Sequence, residues 1–177
     1  AAVVQRVSGQ SFPVFMRESV FRPLAMFRTT LDPVEASGWG LADPHDRLPH
    51  KVQRGRRSML LGWYGSSLVK STARDMATYL GWVLSSAGRA SSEPYEDGWF
   101  IRHRQKWLGN PAVLEHGGNT QGGNTAAIVV PAWNIGAVVL LNAGVHRAAE
   151  IAEGVLAHFA GLAARQETDL TGKFNLP

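Results

Sequence analysis

The stretch HGGNTQGGNT, His116 to Thr125, sets an imidazole in front of backbone that carries almost no side-chain bulk. Glycines beside a polar side chain suit a ligand that must lie close against the main chain. A phosphate loop would need a helix directly after the glycines, and NTAAIVV, which follows, has the pattern of a strand. A second stretch, Ser67-Leu68-Val69-Lys70, has the Ser-x-x-Lys spacing of a lysine-activated nucleophile. That chemistry needs the serine at a helix N-terminus and the lysine one turn later on the same face. Ser71 is the better helix cap, so the helix is expected to begin after Lys70. The Ser67–Lys70 pair then falls in the approach turn and is read as a coincidence of spacing.

Three further groups are read as structural. Asp43, His45, Asp46 and His50 are hard-metal or zinc ligand types, but Pro44 and Pro49 interrupt them in what reads as a solvated loop, and no metal is expected. Lys51, Arg54, Arg56 and Arg57 form the one basic run; it lacks interleaved aromatics and any nucleic-acid motif, so no nucleic-acid partner is expected. Trp39, Trp63 and Trp99 are assigned to packing, and His103, His146 and His158 to the surface or to satisfied contacts.

The whole chain narrows the classes. With no cysteine, disulfides, thiolate catalysis and Cys-ligated zinc are excluded. The net charge of +4 permits anionic partners without requiring one. No apolar run reaches the roughly 18–20 residues of a membrane-spanning helix.

The elements that must hold these residues follow from periodicity. AAVVQRVSG reads as the tail of a helix closed by Gly9. Ser11 caps a helix to about Phe21, with Phe12, Phe15, Met16 and Val20 on its apolar face and Pro23 ending it. Leu31 to about Tyr64 reads as a long surface excursion, and Ser71 to Gly88 as a helix with Asp75 in its first turns. DGWFIRH and NPAVLEH read as strands; NTAAIVVP and NIGAVVLLN read as a buried antiparallel hairpin joined near Ala132 and Trp133. The last helix, about Arg147 to Arg165, is expected to bury Ile151, Val155, Phe159 and Leu162. Helices, then a strand meander, then a covering helix predict an α+β arrangement, an antiparallel sheet flanked by helices.

Four segments in order then resemble one superfamily. RVSGQSFPVFMRESVFRPLAM resembles the segment after the Tyr-x-Asn motif of class C β-lactamases, low-molecular-weight penicillin-binding proteins and their esterase relatives. LVKSTARDMATYL resembles their "GGL-x-STA-x-D" helix, DGWF their "GxGW" strand, and HGGNTQGGNTAAIVVP with IGAVVLLN their third active-site motif and edge hairpin. The resemblance covers only the C-terminal half of such an enzyme, within a β-lactamase/transpeptidase-like sandwich.

What it implies is acyl transfer: a serine of Ser-x-x-Lys attacks a carbonyl while a lysine and a tyrosine handle the proton. His116-Gly117-Gly118 would be the third motif, and the backbone N–H of Asn119 would supply one oxyanion donor. Gly117 and Gly118 would lie along the substrate, with Asn142 at the end of the last strand as a substrate contact or a brace. Histidine in the motif's first place leans toward an esterase or D-peptidase.

No Tyr-x-Asn occurs, so residues 1–165 are expected to be the C-terminal part of a hydrolase domain whose nucleophile lies in a missing N-terminal half; 166–177 would be a tail or the start of a further segment. The chain by itself is then expected to be inactive, to need no cofactor, and to serve a small-molecule or peptide substrate with a reactive carbonyl. Many relatives are exported, which favours a periplasmic or secreted setting. The other reading is a catalytically dead member that binds peptides or proteins.

Overall fold

Apolar, largely β-branched residues crowd the segment from Ala126 to Leu141, and there the chain builds the centre of its sheet. In a computed structural model of the chain, the described residues are 1–48, 51–55, 67–86, 94–104, 107, 109–120 and 122–161. Five strands run antiparallel in chain order: β3 (Tyr95–Glu96), β4 (Trp99–His103), β5 (Ala112–Thr120), β6 (Gly123–Val130) and β7 (Ile135–Leu141). Ahead of them come α1 (Ala2–Ser8), α2 (Phe12–Met16), a π-helical turn (Arg17–Phe21), α3 (Pro33–Gly38), a hairpin of β1 (His45–Leu48) and β2 (Lys51–Arg54), and α4 (Ala73–Ser86); α5 (Ala148–Phe159) closes the described chain.

The side-chain period of two splits the sheet between two helices. On one face Val113, Ala126, Ile128, Val130 and Ala137 pack under Ala148, Ala152 and Leu156 of α5. On the other face Trp99, Ala127 and Val129 pack under Leu80 and Val83 of α4. The result is a helix–sheet–helix sandwich whose central strand β6 is buried from Ala126 to Val130. This is the α+β arrangement that the order of elements predicts.

Local chemistry sets several boundaries differently from the sequence reading. The excursion after Leu31 contains structure: Asp32 accepts the Val34 and Glu35 amides, Pro33 stands at the first helical position, and α3 follows. The polar hairpin β1–β2 comes after it. Ser11 occupies the cap position of α2, but its side chain makes no capping bond. Helix α4 starts at Ala73 and not straight after Ser71: Thr72 Oγ1 takes the Asp75 amide at 3.1 Å, while Ser71 Oγ pairs with Thr29 Oγ1 at 2.8 Å. The largest correction concerns α5. It buries the small stripe Ala148–Ala152–Leu156, and leaves Val155 40% and Phe159 77% exposed. Gly88, Leu162, Trp63 and the expected 166–177 segment lie outside the described residues.

Asp75 ties the helical segment to the layer before it. Its carboxylate is 5% exposed and accepts from the Arg28 amide at 2.8 Å and from Thr29 Oγ1 at 2.7 Å. Asp75→Ala would remove the charged acceptor from both donors. A cost of about 2–4 kcal/mol is expected, since each hydrogen bond to a charged group contributes roughly 1.5–3 kcal/mol. Urea denaturation checks it; a change under about 0.5 kcal/mol, the range of neutral surface substitutions, would refute the anchoring role.

Candidate functional site

Strand β5 outruns its neighbour on one side. Its pairing with β4 runs from His103↔Ala112 to Phe100↔Glu115 and stops there, whereas its pairing with β6 continues to Thr120↔Gly123. From His116 to Thr120, therefore, one edge of β5 meets no strand among the described residues. The direction of each amide follows from the alternation of bonded and non-bonded pairs in an antiparallel ladder. The Thr125 carbonyl oxygen lies 3.3 Å from where a Cβ on Gly117 would stand, so it is aimed at β5 and marks Gly118↔Thr125 as a bonded pair. His116 and Gly118 thus turn their amides to β6. Gly117 and Asn119 turn theirs to the open edge.

Side chains at the other positions leave this edge accessible. A Cβ on Gly118 would stand 2.7 Å from Thr125 Oγ1, so a side chain there would push the two strands apart. His116 is exposed, its ring stacked on Phe100 with centroids 5.9 Å apart. On the α5 face, the Asn119 amide nitrogen Nδ2 lies 3.5 Å from His146 Nε2. Together these residues border a cleft of about 410 Å³, floored by Gly117, Gly118 and Ala126 and walled by Phe100, Asn119 and His146. At its back Arg104 is paired with Glu115 and with Glu153 (2.7 Å), and Arg102 with Glu115 (2.6 Å), so the guanidinium charges there are already matched.

Asn124 holds the cleft's frame. It is 9% exposed; its Oδ1 accepts the first α5 amide, that of Ala148, at 2.8 Å, and its Nδ2 reaches the Gly118 carbonyl at 3.4 Å. One side chain thereby fixes the N-terminus of α5 against β5. The sequence reading did not single it out; in the repeated GGNT the second copy supplies this buried asparagine, while the first copy's Asn119 is exposed.

The structure brings His116, Gly117, Gly118 and Asn119 to one cleft and sets Asn142 beside it as a brace. Asn142 Nδ2 donates to the Asp43 carbonyl at 3.0 Å, and its own carbonyl accepts the His45 amide at 2.8 Å. This seats the β1–β2 hairpin on the Gly122 turn. Asp43 pairs with Arg54 at 2.6 Å, and His45 Nδ1 lies 3.3 Å from the Asn142 carbonyl oxygen; His50, Arg56 and Arg57 lie outside the described residues. Trp99 is buried core. Trp39 is partly buried under the Arg28 guanidinium. His146 and Phe100, which the sequence reading left to packing or did not single out, line the cleft.

Ser67 and Lys70 stand apart from this group. Lys70 is in an isolated bridge with Thr30, three residues before the helix Ala73–Ser86 begins. Its Nζ donates to the Leu68 carbonyl at 2.7 Å, and burial lowers its pKa from the usual lysine value. Leu68 between them takes a positive φ of 78°. The pair therefore lacks the shared helical face that lysine activation of a serine requires.

Comparison with known proteins agrees with this architecture. The chain resembles an octameric penicillin-binding protein homologue from Pyrococcus abyssi, with 20% identity, a TM-score of 0.69, and coverage of 90% of this chain and 40% of that one. It resembles a class C β-lactamase from Rhodobacter sphaeroides at 21% identity and TM-score 0.68, over 90% of this chain and 57% of that one. A β-lactamase/D-alanine carboxypeptidase from Yersinia pestis, complexed with citrate, matches at 20% identity and TM-score 0.62, over 90% and 51%. The chain thus spans about half the length of these structures. No curated protein matches its sequence. The family model described as Beta-lactamase matches residues 1–160, and the chain belongs to that family.

Proposed function

We propose that this chain forms one wall of the acyl-transfer cleft of a serine hydrolase. The observation that carries the reading is the open edge of β5: from Gly117 to Asn119 it offers outward amides and almost no side-chain bulk beside a cleft. An acyl group lying along this edge sets its carbonyl oxygen against the Asn119 N–H, which stabilises the oxyanion as the tetrahedral intermediate forms. His116 and the Phe100 ring border the acyl or leaving group, and Gly117 and Gly118 let the substrate lie close to the main chain.

In this reading the chain supplies the oxyanion strand only, since no Tyr-x-Asn occurs in its sequence and Ser67-Leu68-Val69-Lys70 lacks a shared helical face. Substrates are esters, amides or β-lactams. Histidine in the first place of the motif favours ester or D-peptide substrates, by the resemblance of that motif. The same open edge would also accept a peptide as an added strand, which is the reading as a non-catalytic binding module.

Treating the 177-residue chain with a fluorescent penicillin and a fluorophosphonate tests the assignment of the nucleophile. No covalent labelling is expected, because removing the nucleophile alone can cost about a millionfold in turnover. Labelling that disappears with Ser67→Ala would overturn it and make Ser67 the nucleophile. The longest protein containing this sequence should label at a serine of an upstream Ser-x-x-Lys; if it lacks both that motif and a Tyr-x-Asn, the binding module is favoured.

A further inference from the structure

The peptide unit joining Gly118 to Asn119 has two ends with different neighbours. Its N–H is the donor that the proposed function turns toward the acyl group, and its carbonyl is the Gly118 oxygen. The unit is planar and trans, so the two point in opposite directions. Whatever holds the Gly118 oxygen therefore aims the Asn119 N–H.

The strand's own side chains give this unit little restraint. Gly117 and Gly118 have none, and glycine has the freest backbone of any residue. A side chain at 118 is barred in turn, because its Cβ would stand 2.7 Å from Thr125 Oγ1. The restraint has to come from the neighbouring strand.

β6 supplies it from both faces of the sheet. The period of two sends Asn124 to the α5 face, with Ala126, and Thr125 to the opposite face. The bonded Gly118↔Thr125 pair gives the Gly118 oxygen a ladder bond from the Thr125 amide. Two side-chain donors join it, Asn124 Nδ2 at 3.4 Å and Thr125 Oγ1 at 3.4 Å. Both contacts are longer than the roughly 2.9–3.0 Å of an ordinary N–H···O bond, so each steers the carbonyl more than it binds it. A carbonyl drawn from above and from below stays in the plane of the sheet, and so does the N–H at the other end of the same peptide.

Asn124 is itself locked. The Ala148 amide needs an acceptor, so Oδ1 faces it, at 2.8 Å, and the NH2 group is left on the Gly118 side. The N-terminus of α5 thereby fixes the side chain that reaches the Gly118 oxygen.

We propose that Asn124 and Thr125 are positioning residues for the oxyanion donor, clamping the Gly118 carbonyl from the two faces of the sheet and so setting the direction of the Asn119 N–H. The inference rests on the proposed function. The clamp also strengthens the donor, since each hydrogen bond accepted by a peptide carbonyl polarises the unit, by about 10–30% per bond. A donor aimed in advance stabilises charge as it develops, so losing the clamp lowers kcat and leaves KM nearly unchanged.

Two substitutions in the active hydrolase containing this chain test it, with hydrolysis of an activated ester as the assay. Thr125→Val removes the hydroxyl donor and keeps a β-branched residue of similar shape. Asn124→Asp keeps an acceptor for Ala148 at a helix N-terminus, where a carboxylate is favoured, and removes the Nδ2 donor. Both should fold by circular dichroism and lower kcat about three- to tenfold with KM within about twofold, well short of the roughly 10²–10³ lost with the donor itself. With isotope-labelled asparagine, the amide nitrogen resonance of Asn119 should move in the same direction in both variants, because it follows hydrogen bonding at the carbonyl of its own peptide. If Thr125→Val moves neither kcat nor this resonance, the proposal is overturned, and a loss confined to Asn124→Asp is the new charge acting on the oxyanion directly. A loss seen in KM alone overturns it too. Asn119→Pro tells the two failures apart. Slow turnover in that variant beside normal turnover in the other two leaves the oxyanion strand standing and removes only the clamp. Normal turnover in all three removes the proposed function as well.

Discussion

Gly122→Ala is expected to destabilise the chain by about 2–5 kcal/mol, the sum of a left-handed backbone penalty of roughly 1–2 kcal/mol and an overpacking cost of about 1–3 kcal/mol. Gly122 has φ +69°, and a Cβ there would stand 2.5 Å from Pro44 Cβ and 2.9 Å from the His45 amide nitrogen. Neither neighbour can swing aside. Pro44 is a ring in the backbone, and His45 is fixed by its bonds to Asn142 and Gly144. Gly161 provides the control, since it has the same φ of +69° with nothing within 4 Å of its Cβ position. Gly161→Ala should cost only about 1–2 kcal/mol, the conformational part alone. Urea denaturation of the two variants separates packing from backbone strain; equal losses would mean that the hairpin is not seated on this turn. The consequence for the cleft is direct, because Gly122 stands in the turn that returns β5 into β6, three residues after Asn119.

The same contact explains why parts of this structure could be read from sequence and others could not. β6 and β7 were legible because apolar, β-branched runs have one good use in a domain of this size, as strands covered on both faces. Glycines at 117 and 118 were legible as places of close approach, and Gly122 as the turn between the two strands. Which neighbour approaches was not, because Pro44 and Thr125 come from different distances along the chain. The α5 stripe was misread for a physical reason. A hydrophobic period ranks Ile151, Val155 and Phe159 above Ala148 and Ala152, but the helix lies against the sheet through Ala148, Ala152 and Leu156 and leaves Val155 and Phe159 exposed. β1 and β2 are short, polar and held mainly by Asn142, so their sequences carry no strand pattern. His146 was invisible as a cleft residue because it meets Asn119 only when β7 and the α5 N-terminus fold back over β5. The chemical roles of His116 and Asn119 came from resemblance to a family; composition and spacing alone gave a ligand-approach loop.

Replacing Asn119 with proline should lower kcat of the active hydrolase containing this chain by about 10²–10³, the usual loss on removing one oxyanion donor. The substitution is selective because of where the amide points. Proline is tolerated in a strand where its missing N–H would have faced away from the ladder, and the alternation set by Gly118↔Thr125 turns the Asn119 amide to the open edge. Asn119→Ala keeps that N–H and removes only the side chain, whose polar neighbour is His146 Nε2 at 3.5 Å. It should retain kcat within about threefold, with any larger change in KM, as expected for a group that contacts bound substrate without stabilising the transition state. The pair of variants therefore separates backbone from side chain at one position. Steady-state hydrolysis of an activated ester, with circular dichroism to verify folding, gives the comparison. If the proline variant folds and turns over as fast as the alanine variant, the oxyanion is stabilised elsewhere, and the open edge of β5 serves to hold substrate or peptide without taking part in the chemistry.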